Sequence, residues 1–188
     1  MNVPSGLYYI SDIVSNDLEK DILNWLETSE IKSLQFPVGK GKSSRNVIHF
    51  GYKYNYTQKT SGEITHPIPQ ILLKLLSLVN NFYDVSQFNQ AILNQYYPGQ
   101  GINAHTDIES YGDIIVVFSL GSGIEMEFTR DGYQSYKVYV ESRSVYIMTG
   151  ESRYEWKHQI RPRLTDTVGT TKIKRETRWS ITYRIVPK

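Results

Sequence analysis

The chain has 188 residues, 39% of them hydrophobic and 21% charged, with a formal net charge of +2. That length and balance suit one globular domain with a single sizeable core, and exclude a disordered chain and a strongly basic nucleic-acid coat protein. There is no cysteine, which excludes disulfides, thiolate metal sites and cysteine nucleophiles, so a metal would have to be held by nitrogen and oxygen.

The opening stretch, MNVPSGLYYISDIV, lacks a basic segment running into a long apolar one, so no signal peptide is expected. The apolar stretches are too short to span a membrane, and the expectation is a soluble cytoplasmic protein, with the nucleus as the alternative. Asn16, with Glu19 three residues on, predicts a helix N-terminus, and Leu18, Ile22, Trp25 and Leu26 follow at helical spacing. A second helix is expected from Pro67, burying Ile68, Ile71, Leu72, Leu75, Leu76 and Val79. Between the two lies GKGKSSRNVIHFGYKYNYTQKT, a basic, glycine-rich loop leading into an alternating strand that puts Phe50, Tyr52, Tyr54 and Tyr56 on one face. Lys40, Lys42 and Arg45, with Tyr52 and Tyr54, are candidates for gripping phosphates and stacking a base; a half-buried edge strand explains the same pattern equally well.

From residue 90 the pattern changes to short strands near 90–97, 102–107, 113–120, 123–129, 135–140, 144–149, 156–160 and 177–186. Pro98-Gly99-Gln100-Gly101, Gly121-Ser122-Gly123 and Asp131-Gly132 mark turns between them. Lys172, Lys174 and Arg175 read as a solvated loop before the last strand. Many short strands with regular turns predict a mainly β protein with N-terminal helices, a sandwich or jelly roll rather than alternating β-α units. The expected organisation is one domain over 1–188, with a helical, nucleotide-recognising elaboration over 1–89 and a catalytic core over 90–188.

His105 and Asp107 are two residues apart, so on an extended segment both side chains leave the same face. With His158 from a neighbouring strand they make a set of two imidazoles and one carboxylate that can hold Fe(II) on one side and leave positions open. His49 and His66 read as ordinary structural or surface histidines. In RWSITYR, Arg178, Ser180, Thr182 and Arg184 share one face, while Trp179, Ile181, Tyr183 and Ile185 share the packed one. An inward face with two arginines is expensive unless an anion sits there; the bland alternative is a solvated face with arginines reaching outward. Asn94 and Tyr96 are also in phase, just before a turn, and both can donate to a carboxylate.

With these residues in place, the chain resembles the AlkB family of Fe(II)- and 2-oxoglutarate-dependent dioxygenases over about residues 36–186, through NQYYPGQGINAHTD, the distal His158 and RWSITYR. HFGYKYNY, SLGSGIEMEF and MTGESRYEWKHQI are more narrowly similar to the eukaryotic branch that modifies the wobble uridine of tRNA. The resemblance implies a double-stranded β-helix in which His105, Asp107 and His158 hold Fe(II), with 2-oxoglutarate and O2 as co-substrates. It implies that Arg178, assisted by Tyr96, pairs with the distal carboxylate of 2-oxoglutarate, and that Asn94 and Arg184 lie near its metal-chelating end. Ser180 stands where repair members often carry an asparagine, as a further co-substrate contact, and Glu109 where many carry a base-reading aspartate.

The expected activity is oxidation of a modified base in nucleic acid, with hydroxylation of a tRNA wobble-uridine side chain as the leading reading. Oxidative demethylation of N-methylated bases in DNA or RNA, hydroxylation of a protein side chain, and a non-catalytic jelly-roll binding module are the alternatives. The animal relatives join such a domain to RNA-recognition and methyltransferase domains, neither of which is read in these residues, so either a separate RNA-binding or methyltransferase partner delivers the substrate or the chain acts on a different nucleic acid.

Overall fold

Residues 3–58 and 60–187 are described by a computed structural model of the chain. In order they form β1 (Leu7–Ile10), α1 (Asn16–Leu26), α2 (Ser29–Ser33), β2 (Phe36–Val38), β3 (Arg45–Phe50), β4 (Tyr52–Asn55), β5 (Thr60–Ile64) and α3 (Gln70–Leu76). They continue as β6 (Gln90–Tyr96), β7 (Ile102–His105), β8 (Ile115–Leu120), β9 (Ile124–Thr129), β10 (Tyr136–Val140), β11 (Ser144–Met148) and α4 (Gly150–Tyr154). The last strands are β12 (Lys157–Ile160), β13 (Thr165–Val168), β14 (Thr171–Lys174) and β15 (Arg178–Arg184). A seven-stranded sheet, ordered β1-β11-β8-β15-β6-β3-β2, faces a four-stranded one, ordered β10-β9-β12-β7, and their pairings are antiparallel. This is the expected mainly β jelly roll. No helix among the described residues is long and apolar enough to cross a membrane.

Period-two alternation divides each strand of the large sheet between two environments. Outward from the barrel, Trp179, Ile181 and Tyr183 of β15, Val116 and Phe118 of β8, and Val145 and Ile147 of β11 pack against Leu18, Ile22 and Leu26 of α1 and Leu72, Leu75 and Leu76 of α3. Inward, Ile115, Val117, Tyr146 and Met148 meet Ile124, Met126 and Phe128 of the small sheet. Tyr183 satisfies its buried hydroxyl by donating to the Leu72 carbonyl at 2.7 Å, tying the central strand to α3.

Several local expectations change. Ser15, not Asn16, caps α1, accepting from the Leu18 N–H at 3.2 Å. The second helix starts at Gln70 rather than Pro67, because Ile68 precedes a proline and Pro69 itself is extended, with ψ 151°. The aromatic run is not one strand: Gly51, at φ +76°, turns the chain between β3 and β4, and a Cβ there would lie 1.9 Å from the Asn89 carbonyl oxygen. Phe50 is therefore buried against Trp25, at 6.0 Å between ring centroids, while Tyr54 and Tyr56 belong to the next segment. Residue 89 is not a structural boundary either, since β1, β2 and β3 complete the large sheet.

Residues 165–174 form a hairpin, not a solvated loop. Lys172 and Lys174 are exposed, but Arg175 is buried and donates through Nε and Nη2 to the two oxygens of buried Asp166, at 2.7 and 2.6 Å. Its Nη1 donates to the Arg161 carbonyl, and Asp166 also accepts from the Glu125 N–H. Removing one member of such a pair strands the other charge away from water. Asp166→Ala should lower the free energy of urea unfolding by about 3 kcal/mol, and adding Arg175→Met to it should recover part of the loss.

Candidate active site

β7 and β12 are neighbours in the small sheet, and their register sets His105 directly opposite His158. The two rings are 4.4 Å apart between centroids. His105 Nδ1 is 2.8 Å from the Asn103 carbonyl oxygen; a carbonyl can only accept, so Nδ1 carries the proton and Nε2 keeps its lone pair. His158 is buried, and its Nδ1 has no partner among the described residues. Burial, then the neighbouring His105, pushes the His158 imidazole down to about 3, and burial lowers His105 as well. Both rings are therefore neutral at physiological pH.

Asp107 follows where β7 ends and the backbone becomes irregular. Burial opposes its ionisation, but Arg184 foremost, then His158, His105 and Arg153, outweigh it and hold the carboxyl below its ordinary value. Arg184 donates through Nη2 to Asp107 Oδ1. Two neutral imidazoles and one ionised carboxylate are the donor set that suits Fe(II) at a facial site. Among the described residues the three side chains are not closed into a chelating cluster. All three side chains line one cavity and their donor types suit such a cation, which would compete with Arg184 for Asp107.

That cavity has a volume of about 510 Å³ and opens between the sheets. Arg178, Ser180, Thr182 and Arg184 line it, as the parity of β15 requires, and so do Asn94 and Tyr96 from β6. Arg178 is 1% exposed. Its Nε donates to Ser119 Oγ at 2.9 Å, its guanidinium lies 5.6 Å from the Tyr96 ring centre, and Nη1 and Nη2 have no partner among the described residues. Burial lowers its affinity for the proton. A dry guanidinium with two unused donors calls for a bidentate anion. Arg45 also reaches the cavity and donates to Asn94 Oδ1 at 2.7 Å, so the amide oxygen is engaged and its NH2 is left for a ligand.

The wall toward solvent is aromatic. Tyr54 and Tyr56 line the cavity and meet edge to face at 4.7 Å. Behind them, buried His49 accepts the Tyr54 N–H on Nδ1 and pairs through Nε2 with Tyr56 Oη at 3.2 Å, so it joins β3 to the β4–β5 hairpin. His66 lies at the surface. Of the remaining candidates, Lys40 and Lys42 are exposed beside Gly39 and Ser43, which line the cavity, whereas Tyr52 and Glu109 do not line it and Glu109 is exposed. Tyr146 and Ser119 were not singled out from sequence. The alternation of SVYIM carries the signal for Tyr146, which lines the cavity with Met148.

The sequence profile described as the 2OG-Fe(II) oxygenase superfamily matches residues 6–184. The chain belongs to that superfamily. Fe(II), 2-oxoglutarate and O2 are accordingly the cofactor and co-substrates of this oxygenase. Within the superfamily it is AlkB-like. It is similar to the mouse tRNA (carboxymethyluridine(34)-5-O)-methyltransferase ALKBH8, 36% identical over 174 residues that make up 88% of the chain and 26% of the relative. It is likewise similar to protein L905 of Acanthamoeba polyphaga mimivirus, 34% identical over 191 residues covering 98% of the chain and 86% of that protein. The solved structure of OsALKBH1 shares the fold with a TM-score of 0.71 at 18% identity, over 98% of both chains. The oxygenase thus spans about a quarter of the length of the mouse relative.

His49 supplies a pH test. Burial, then Arg184 and two further cations, pushes its imidazole from 6.5 down to about 4. Between those values the unfolded chain binds the proton and the folded one does not. Stability is therefore fully present above about 6.5 and is lost as the pH falls toward 4, by an amount on the order of 3 kcal/mol for this group. In metal-free protein, His49→Gln should flatten the fall in unfolding free energy across that window relative to the unsubstituted chain.

Proposed function

We propose that this oxygenase oxidises a modified base in nucleic acid, and that the base is a wobble uridine of tRNA hydroxylated on its side chain. The observation that carries the chemistry is the pair of buried, unused Arg178 nitrogens on a residue that lines the same cavity as His105, Asp107 and His158. The similarity to ALKBH8 and the aromatic wall support the nucleic-acid part of the reading.

His105, Asp107 and His158 would hold Fe(II), which together with 2-oxoglutarate and O2 supplies oxidation of an unactivated C–H bond. Arg178 binds the distal carboxylate of 2-oxoglutarate through Nη1 and Nη2, with Ser119 orienting the guanidinium and Tyr96 beside it. Asn94, held by Arg45, offers its NH2 toward the other end of the co-substrate, and Ser180 and Arg184 complete the polar wall. Arg184 keeps Asp107 ionised. Val117, Met126 and Met148 exclude water from the inner cavity and limit side reactions. Tyr54 and Tyr56 stack on the extruded base, and Lys40, Lys42 and Arg45 draw in its phosphates. A separate RNA-binding or methyltransferase partner delivers the tRNA.

Treating total tRNA with enzyme, Fe(II) and 2-oxoglutarate, then digesting it and weighing the nucleosides, should show one oxygen gained on a modified uridine. Loss of methyl from adenine or cytosine derivatives would replace this reading with repair, and no succinate in any condition would favour the binding-module reading. Asp107→Ala should abolish turnover. Arg178→Met should raise the KM for 2-oxoglutarate by roughly 100-fold, the equivalent of two charge-assisted hydrogen bonds.

A further inference from the structure

Arg153 is 2% exposed and does not line the active-site cavity. It projects from α4, a single turn between β11 and β12 that ends four residues before His158. Its Nη1 donates to the Asp107 carbonyl at 3.2 Å and its Nη2 to the Ile108 carbonyl, 46 and 45 residues away in the chain. A fully buried guanidinium is costly, and carbonyls do not neutralise it. Its Nε has no partner among the described residues. The side chain is spent on the backbone where β7 loses its sheet pairing and the chain must present Asp107.

The same turn grips that loop a second time. Tyr154 packs its ring 4.6 Å from the Arg153 guanidinium and donates its hydroxyl to Asp113 at 2.7 Å, at the far end of the segment that follows Asp107. The turn itself is fixed by a capping box between Thr149 and Ser152, and by the Ser152 N–H donating to the Ser5 carbonyl. It is therefore a rigid support for a loop that has no sheet or helix of its own.

We propose that Arg153 is a positioning residue for the metal: by holding the Asp107 and Ile108 carbonyls it fixes the carboxylate of Asp107 relative to His158 and so sets metal affinity. Arg184 restrains the carboxylate and Arg153 restrains the backbone that carries it. This rests on the reading of Asp107 as a ligand. Partners that orient a ligand from behind are worth roughly 10- to 100-fold in metal affinity.

The test is calorimetric titration of Mn(II), which accepts the same nitrogen and oxygen donors without oxidation, into the full chain and into Arg153→Met, Arg153→Lys and Asp107→Ala. Melting curves of the metal-free proteins are recorded alongside. The expected result is a Kd for Mn(II) raised roughly 10- to 100-fold in Arg153→Met, partly restored in Arg153→Lys, which keeps the charge and one donor, with both variants folded. Wild-type affinity in a folded Arg153→Met would overturn the proposal while leaving Asp107 as a ligand. Failure of both Arg153 variants to fold would also overturn it, because a residue acting through one loop is dispensable to the rest of the barrel. Wild-type affinity in Asp107→Ala would instead remove the ligand reading itself.

Discussion

Placing Arg178 and Arg184 six residues apart on the inner face of the central strand is the constraint around which this barrel is arranged. Arg178 is cut off from bulk water, and the Arg184 side chain is only 12% exposed. Arg184 is balanced within the protein by Asp107. Arg178 has only the Ser119 hydroxyl and the face of Tyr96, neither of which carries a full charge. A buried cation left uncompensated costs several kcal/mol, so the fold is most stable when an anion occupies that end of the cavity. Stability and anion binding at that end of the cavity are thus linked through one side chain.

The scaffold makes the arrangement affordable by separating its two faces. The outer face of β15 contributes Trp179, Ile181 and Tyr183 to the larger apolar cluster, where α1 and α3 cover it. Burial there is the ordinary hydrophobic gain, and it secures the strand whose inner face is polar. The small sheet then brings His105 and His158 side by side through register alone, whereas Asp107, beyond the end of β7, depends on side chains from elsewhere. Two of the three proposed ligands are set by pairing and one by props, and the third is where small changes in packing should be felt most.

What was legible in the sequence follows the same division. The strands from residue 90 onward and the parity of RWSITYR could be read because alternation reports local geometry, and that geometry is what places Arg178 and Arg184. Residues whose partners are distant carry no such mark: Arg175 reads as one more loop cation, although it closes an ion pair with Asp166, and nothing in the pattern around Arg153 points to the carbonyls it holds. β1 was missed because a four-residue edge strand takes its conformation from β11, not from its own pattern. Gly51 was read as part of a strand, when its positive φ separates Phe50, a core residue, from Tyr54 and Tyr56, which face the cavity.

That glycine also bears on how specificity can change in this scaffold. The inner cavity is built by β6, β7, β12 and β15, all locked in the two sheets, whereas the aromatic wall comes from a two-stranded hairpin outside both. Its attachment runs through Gly51 and through His49, which holds Tyr54 by its backbone and Tyr56 by its hydroxyl. Tyr54 and Tyr56 further separate the cavity from a second hollow lined by Phe36, Val38 and the hairpin itself. A change in the hairpin can therefore reshape what lies against the reacting carbon without moving His105, Asp107, His158 or Arg178. On the proposed reading, chemistry and substrate choice rest on different elements, so similarity in the proposed metal and co-substrate residues constrains the reaction far more tightly than it constrains the substrate.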